Sequence, residues 1–149
     1  MKKFIYLVIP ILITIVVGSL LVRFASVSYQ SMNKPSFAPP GFVFGIAWTI
    51  FYLIFYFTTS KTINLDIKYK DNKFLQLFHL VLFSHIIWNL LFFTLNFKLV
   101  ALFVLLVIYL LSVAFVFCLS LINKKYAYFN VPYLLWLLFA FLLNLAFVF

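Results

Sequence analysis

The sequence predicts an all-α fold, an integral membrane bundle of five transmembrane helices, on three observations. Hydrophobic residues make up 68% of the chain, against roughly 45–50% in an ordinary soluble domain. Five apolar stretches reach or approach the roughly 20 residues that a hydrocarbon core requires: Phe4–Val22, Phe42–Ser60, Phe74–Leu95, Leu99–Ile122 and Ala127–Phe149. The segments between them are too short for a soluble domain, so residues 1–149 read as a single membrane domain.

The first stretch follows Met1-Lys2-Lys3 and so imitates a secretory signal. Its apolar run exceeds the roughly 7–15 residues of a signal core. Arg23 also stands two positions before Ala25, the one candidate cleavage residue, so the stretch reads as a retained helix. Pro10 belongs to its first turns or kinks it. The first loop, Phe24–Gly41, is long, weakly charged and holds Pro35, Pro39 and Pro40. Proline fixes φ and reduces conformational freedom, so this loop, with Tyr29 and Phe37, is expected to fold over the bundle as a lid. Pro39 and Pro40 suit the first turn of helix 2, where a missing N–H costs little. The second loop, Lys61–Lys73, is charged and expected to be mobile. Loops three and four are only a few residues, which makes helices 3, 4 and 5 antiparallel neighbours. Pro132, after Asn130, suits the start of helix 5.

The net charge of +9 does not point to nucleic acid, because the basic residues sit between apolar runs rather than on one polar face. Lys2, Lys3, Lys61, Lys68, Lys70, Lys73, Lys124 and Lys125 fall on one side of the bundle; Arg23, Lys34 and Lys98 fall on the other. Eight against three predicts an N-terminus inside and a C-terminus outside, in a bacterial-type cell membrane. Arg23, near a helix end, can snorkel. The single cysteine, Cys118, can form no internal disulfide and reads as packing.

Polar and aromatic side chains recur at helical spacing. Helix 3 carries His85, Trp88, Asn89 and Phe92 on one stripe, and helix 5 carries Tyr133, Trp136, Ala140 and Asn144 on another. Helix 2 places Trp48 and Tyr52 one turn apart, with Gly45 a turn earlier. Asn or His in hydrocarbon is unfavourable unless it faces the bundle interior, and tryptophan in membranes ordinarily prefers the interface. The bland alternative is that these groups only bridge helices, each worth about 0.6–2 kcal/mol. Glue does not require indoles on the same faces, however. A lining of this kind suits a flat, largely apolar molecule oriented by a few donors. His79 and His85 are six positions apart, about 120° around a helix, and cannot grip one metal from opposite sides; a lone axial His85 stays open beside a hydrogen-bonded pocket histidine. His79 is expected to meet water or head groups. No metal site is expected.

Absences exclude other chemistries. The acidic residues, Asp66 and Asp71, both fall in the second loop, which argues against transport coupled through an intramembrane acid and against paired-carboxylate hydrolysis. No serine elbow and no phosphate-binding glycine loop occur. The spacing Leu65, Tyr69, Lys73 fits a proposed cholesterol pattern, but it lies in a hydrophilic loop and reads as chance.

Asn33-Lys34-Pro35, Pro39-Pro40, Phe44 through Tyr52, Trp88 through Phe93, and Val131 through Trp136 continuing to Phe139-Ala140 and Leu143-Asn144, taken in order, resemble the translocator protein (TspO/MBR) family, whose bacterial members are the tryptophan-rich sensory proteins. The resemblance runs from about Tyr29 to Asn144. It implies five transmembrane helices, often paired as a homodimer, around a pocket capped by the first loop. It also implies binding of porphyrins and related tetrapyrroles, with roles in transport, stress sensing or light-dependent porphyrin breakdown. By the same resemblance Trp48 and Trp136 are the pocket tryptophans, and Tyr52, Tyr133, Ala140 and Asn144 their neighbours. The chain departs from the family at Ser28, Phe37 and Phe42, where tryptophans are usual, and at His85, where asparagine is common. No Lys or Arg follows Trp136, so the family's sterol-recognition segment is missing.

The leading expectation is therefore a membrane binding protein for porphyrins, haem-like tetrapyrroles or similar flat apolar ligands, requiring no cofactor. Trp48, Trp88 and Trp136 would border the ligand. Tyr52, His85, Asn89, Tyr133 and Asn144 would supply directional hydrogen bonds, and Tyr29 to Pro40, with Pro39, the lid. The alternatives are a light- and oxygen-dependent porphyrin-degrading enzyme using Trp48 and Trp136, and a structural assembly partner with a filled interior.

Overall fold

The computed structural model describes residues 1–25, 28–64 and 71–149. Residues 65–70 of the second loop, among them Asp66, Lys68, Lys70 and the cholesterol-like pattern at Leu65 and Tyr69, lie outside the described residues, and the expected mobility of that loop falls on them. Every regular element among the described residues is helical. Five helices are long and apolar enough to cross a membrane: α1 (Phe4–Arg23), α2 (Gly41–Thr62), α3 (Lys73–Thr94), α4 (Lys98–Ile122) and α5 (Lys124–Val148). Their most apolar stretches have mean hydropathies between 1.7 and 3.1. Phe83, Phe103, Leu110, Phe117 and Leu135 point outward and are exposed, the inverse of a soluble surface and the face that acyl chains cover.

Local chemistry sets where the helices begin and bend. The Asn72 side chain accepts from the Leu75 N–H at 3.0 Å and starts α3; Asn123 accepts from Lys125 at 3.0 Å and starts α5. The sequence-based start of helix 5 at Ala127 is thus corrected to Lys124. Pro132 sits in the first turn of Val131–Val148, where α5 is interrupted at Asn130. The Asn130 amide donates to Tyr126 O (2.9 Å) and to Thr58 Oγ1 (3.1 Å), tying the break to α2. Pro40 is extended (ψ 146°) and immediately precedes α2, so the proline pair lies before the first turn of this helix rather than within it. A wide turn at Phe4–Val8 precedes Pro10, closed by Ile9 N–H on Phe4 O. Pro10 has no N–H for the Tyr6 carbonyl; His79 of α3 bonds that carbonyl at 2.7 Å, so it engages α1 rather than water alone. A second wide turn, Leu90–Thr94, ends α3. Asn96, at φ 56°, makes the sharp turn into α4, a conformation asparagine tolerates better than most residues.

The closest helix pairs are α3 with α4, α4 with α5, and α1 with α3. α2 meets α1 chiefly through the wide turn at Phe4–Val8, where the Lys3 ammonium donates to Ser60 O. From that end the two helices diverge. The interior of the charged-loop end is filled by phenylalanine: Phe55 lies 4.3 Å from Phe115 and 5.3 Å from Phe78, and Phe74 stacks on Phe115 at 5.0 Å. The other end, under the first loop, is where a cavity opens.

Candidate functional site

The cavity occupies about 470 Å³ between α1, α2 and the second half of α3, within the roughly 300–1,000 Å³ typical of small-molecule sites. Its aromatic wall comes from α2 and α3. Phe44, Trp48 and Tyr52 follow one another at helical spacing on α2, with Trp88 and Phe93 beyond them on α3. Trp48 stacks on Tyr52 at 6.0 Å (25° between planes), while His85 stands edge-on behind both, 4.9 Å from Trp48 and 6.1 Å from Tyr52. Tyr52 lines the cavity, and its hydroxyl makes no hydrogen bond among the described residues.

The facing wall is α1, through Thr14, Ile15, Gly18, Ser19 and Val22. That wall makes a close approach at Gly18. A Cβ on Gly18 would lie 3.2 Å from Asn89 Nδ2, so the glycine lets Asn89 reach across and α1 close on α3. Gly45 and Thr49 on α2 keep the gap open; a Cβ at Gly45 would meet nothing.

Behind the wall, two hydrogen-bonded chains fix the aromatic rings. His85 Nδ1 lies 2.9 Å from Val81 O. A carbonyl only accepts, so Nδ1 carries the proton, and Nε2 accepts from the Tyr133 hydroxyl at 3.3 Å. The Tyr133 oxygen in turn accepts from Ser112 at 3.1 Å. Both His85 nitrogens are engaged, and neither is offered to the cavity. In the second chain Trp88 Nε1 donates to Asn144 Oδ1 (3.1 Å), and Asn144 Nδ2 donates to Lys98 O (3.0 Å). Asn89 Nδ2 donates to His85 O (3.0 Å). Among the described residues no group of three or more His, Cys, Asp or Glu side chains is arranged to hold a metal.

The first loop closes the top. Tyr29 is buried, packs edge-on against Phe44 (5.3 Å) and Phe147 (6.3 Å), and donates to Pro39 O at 2.8 Å. Burial pushes its hydroxyl above the ordinary tyrosine value, keeping it protonated as a donor. Lys34 lies 5.1 Å over the same ring, and Phe37 packs on Phe139 at 6.3 Å. Tyr29→Phe removes the bond to Pro39, worth about 1 kcal/mol. Ligand release followed by stopped-flow absorbance should then be about fivefold faster, with little change in the thermal unfolding temperature.

Of the residues singled out from sequence, Tyr29, Trp48, Tyr52, Trp88 and Asn89 line the cavity. Pro39 and Pro40 shape the lid without lining it. His85 and Tyr133 stand behind the wall, Asn144 anchors Trp88, and Ala140 is buried inside α5. Trp136 packs against Phe44 (5.8 Å), Phe51 (6.1 Å) and Phe139 (5.4 Å), and its buried indole nitrogen has no partner among the described residues. The α1 face was missed; its signal is the repeat of small side chains at Thr14 and Gly18, one turn apart.

A lipid-facing five-helix bundle with tryptophans around a lidded cavity agrees with what sequence comparison finds. The chain is 32% identical over 124 residues to the tryptophan-rich protein TspO of Archaeoglobus fulgidus, covering 79% of this chain and 76% of the relative. The TspO/MBR family profile matches residues 6–149, and the chain belongs to that family of integral membrane proteins.

Proposed function

We propose that this membrane protein binds porphyrins or related flat tetrapyrroles in the cavity under the first loop, in transport or stress sensing. The observation that carries the reading is the lined space itself: an aromatic wall of Trp48, Tyr52 and Trp88 faces α1 through Thr14, Ile15, Gly18, Ser19 and Val22. A lining of this kind suits a planar guest whose face lies on the aromatic rings. The family supports the same reading. Degradation of the ligand would draw on Trp48 and Trp136 together, yet only Trp48 lines the cavity, so binding is the better supported activity.

The test is a titration of detergent-purified protein with a panel of porphyrins, read by Soret absorbance and tryptophan fluorescence. Saturable shifts with quenching from Trp48 and Trp88 support the proposal. A linear, unsaturable response for every porphyrin sinks it.

We propose further that the chain lies in a bacterial-type cell membrane with its N-terminus inside. Lys2, Lys3, Lys61, Lys73, Lys124 and Lys125 border the phenylalanine-filled end of the bundle, and such excess marks the cytoplasmic side. An alkaline phosphatase fused to the C-terminus should be active, and one fused to the N-terminus silent; the reverse pattern refutes the orientation.

A further inference from the structure

The cavity has a chemical polarity that its aromatic wall does not explain. Of its lining residues Thr14 and Tyr52 are buried, whereas Arg23 is exposed, where the cavity opens at the side of the first loop. The nine helical steps from Thr14 to Arg23 span about 14 Å. The exposed lining residues include the polar Ser19, Ser28 and Gln30 and the apolar Val22; the aromatic Tyr29 and Phe44 also line the cavity, buried and half-buried.

Arg23 is the only charged residue lining the cavity among the described residues. Its guanidinium lies 5.9 Å from the ring of its neighbour Phe24 and forms no ion pair among the described residues. The chain supplies little to pair it with. Asp71 precedes α3 at the opposite end of the bundle, and the other acid, Asp66, lies outside the described residues. As the last residue of α1, Arg23 also favours the negative end of the helix dipole. That role does not require it to line a ligand cavity, and it leaves most of its five N–H donors available.

We infer that the guest is an amphipathic acid: its flat apolar body lies along Trp48 and Tyr52, and a carboxylate on its edge pairs with Arg23 at the mouth. The inference rests on the porphyrin-binding reading and narrows it to ligands with free acid side chains. Guanidinium and carboxylate match as a planar two-point pair. The open mouth keeps the pair partly solvated, so its contribution is moderate and sensitive to salt.

The experiment compares a porphyrin bearing two free propionates with its dimethyl ester, by Soret titration in phosphatidylcholine nanodiscs. The acid should bind about fivefold more tightly than the ester, the scale of an ion pair open to solvent. Arg23→Gln should bring that ratio to about one, Arg23→Lys should keep part of it, and raised salt should shrink it. Equal affinity for acid and ester in the unaltered protein overturns this inference and leaves porphyrin binding standing. A preference that survives Arg23→Gln also overturns it. Loss of the preference when phosphatidylglycerol replaces phosphatidylcholine assigns Arg23 to an anionic lipid headgroup instead and overturns the inference. Failure of both porphyrins to bind removes the porphyrin reading and the inference with it.

Discussion

Replacing Trp48 with alanine should weaken porphyrin binding about 70-fold. A ligand lying on one face of the indole covers about half of its roughly 200 Å². At about 25 cal/mol per Å² that loss is about 2.5 kcal/mol, or nearly two decades in Kd. Truncation also frees the Tyr52 and His85 rings that Trp48 now stacks on and abuts, which adds to the loss by loosening the wall. Trp48→Phe keeps an aromatic face and should cost less than tenfold. Soret absorbance is the readout, because removing Trp48 removes part of the intrinsic fluorescence. The informative control is Trp136→Phe. If the site is the cavity beside α1, that change leaves Kd within about twofold, since Trp136 is separated from the guest by Phe44. The family resemblance alone assigns both tryptophans to the pocket, so the pair of variants separates the two placements. Unchanged affinity in Trp48→Ala would remove the cavity as the binding site.

The helices were legible because the bilayer imposes one rule on every span: about 20 apolar residues with internally bonded backbone. Phe4, Lys98 and Ile122 mark boundaries that hydropathy alone finds within a residue. The start of α5 was not found that way, because Lys124 and Lys125 read as loop. The cap at Asn123 was the overlooked signal, and the two lysines are simply the first turn of the helix. Side-chain stripes predicted which faces turn inward. His85, Tyr133 and Asn144 are all buried. Periodicity does not say which inward residues meet a space and which meet each other. That depends on how far α2 leans from α1, which is set by contacts remote in sequence: the Lys3–Ser60 bond at one end and the Tyr29 lid at the other. The α1 wall was missed for a related reason. Gly18 and Ser19 carry no hydrophobic or aromatic signal, and their function is to occupy little room.

The second large effect is expected on stability, at Asn144. This side chain is 1% exposed and joins three helices: it accepts from Trp88 of α3 and donates to the Lys98 carbonyl at the start of α4, while belonging to α5. Asn144→Leu keeps the volume approximately and removes both bonds. The Trp88 N–H then stays buried without its partner, while the Lys98 carbonyl, the first of α4, keeps only its helical bond. Leaving buried polar groups unsatisfied costs about 1–3 kcal/mol each, although polar contacts between membrane helices average nearer 0.6 kcal/mol. A total of about 2 kcal/mol follows, which lowers the unfolding midpoint by about 4–8 °C at this chain length. Differential scanning fluorimetry in a single detergent measures it. The same substitution should reach the ligand site, because Trp88 is fixed by that bond as well as by stacking on Phe92 at 5.3 Å. Trp88→Phe removes the orphaned donor, so the double variant Trp88→Phe/Asn144→Leu should be less destabilised than the sum of the singles. Strict additivity would mean that Asn144 serves packing alone. Coupling would mean that the polar groups inside this bundle are spent on holding an aromatic wall in place around an open space.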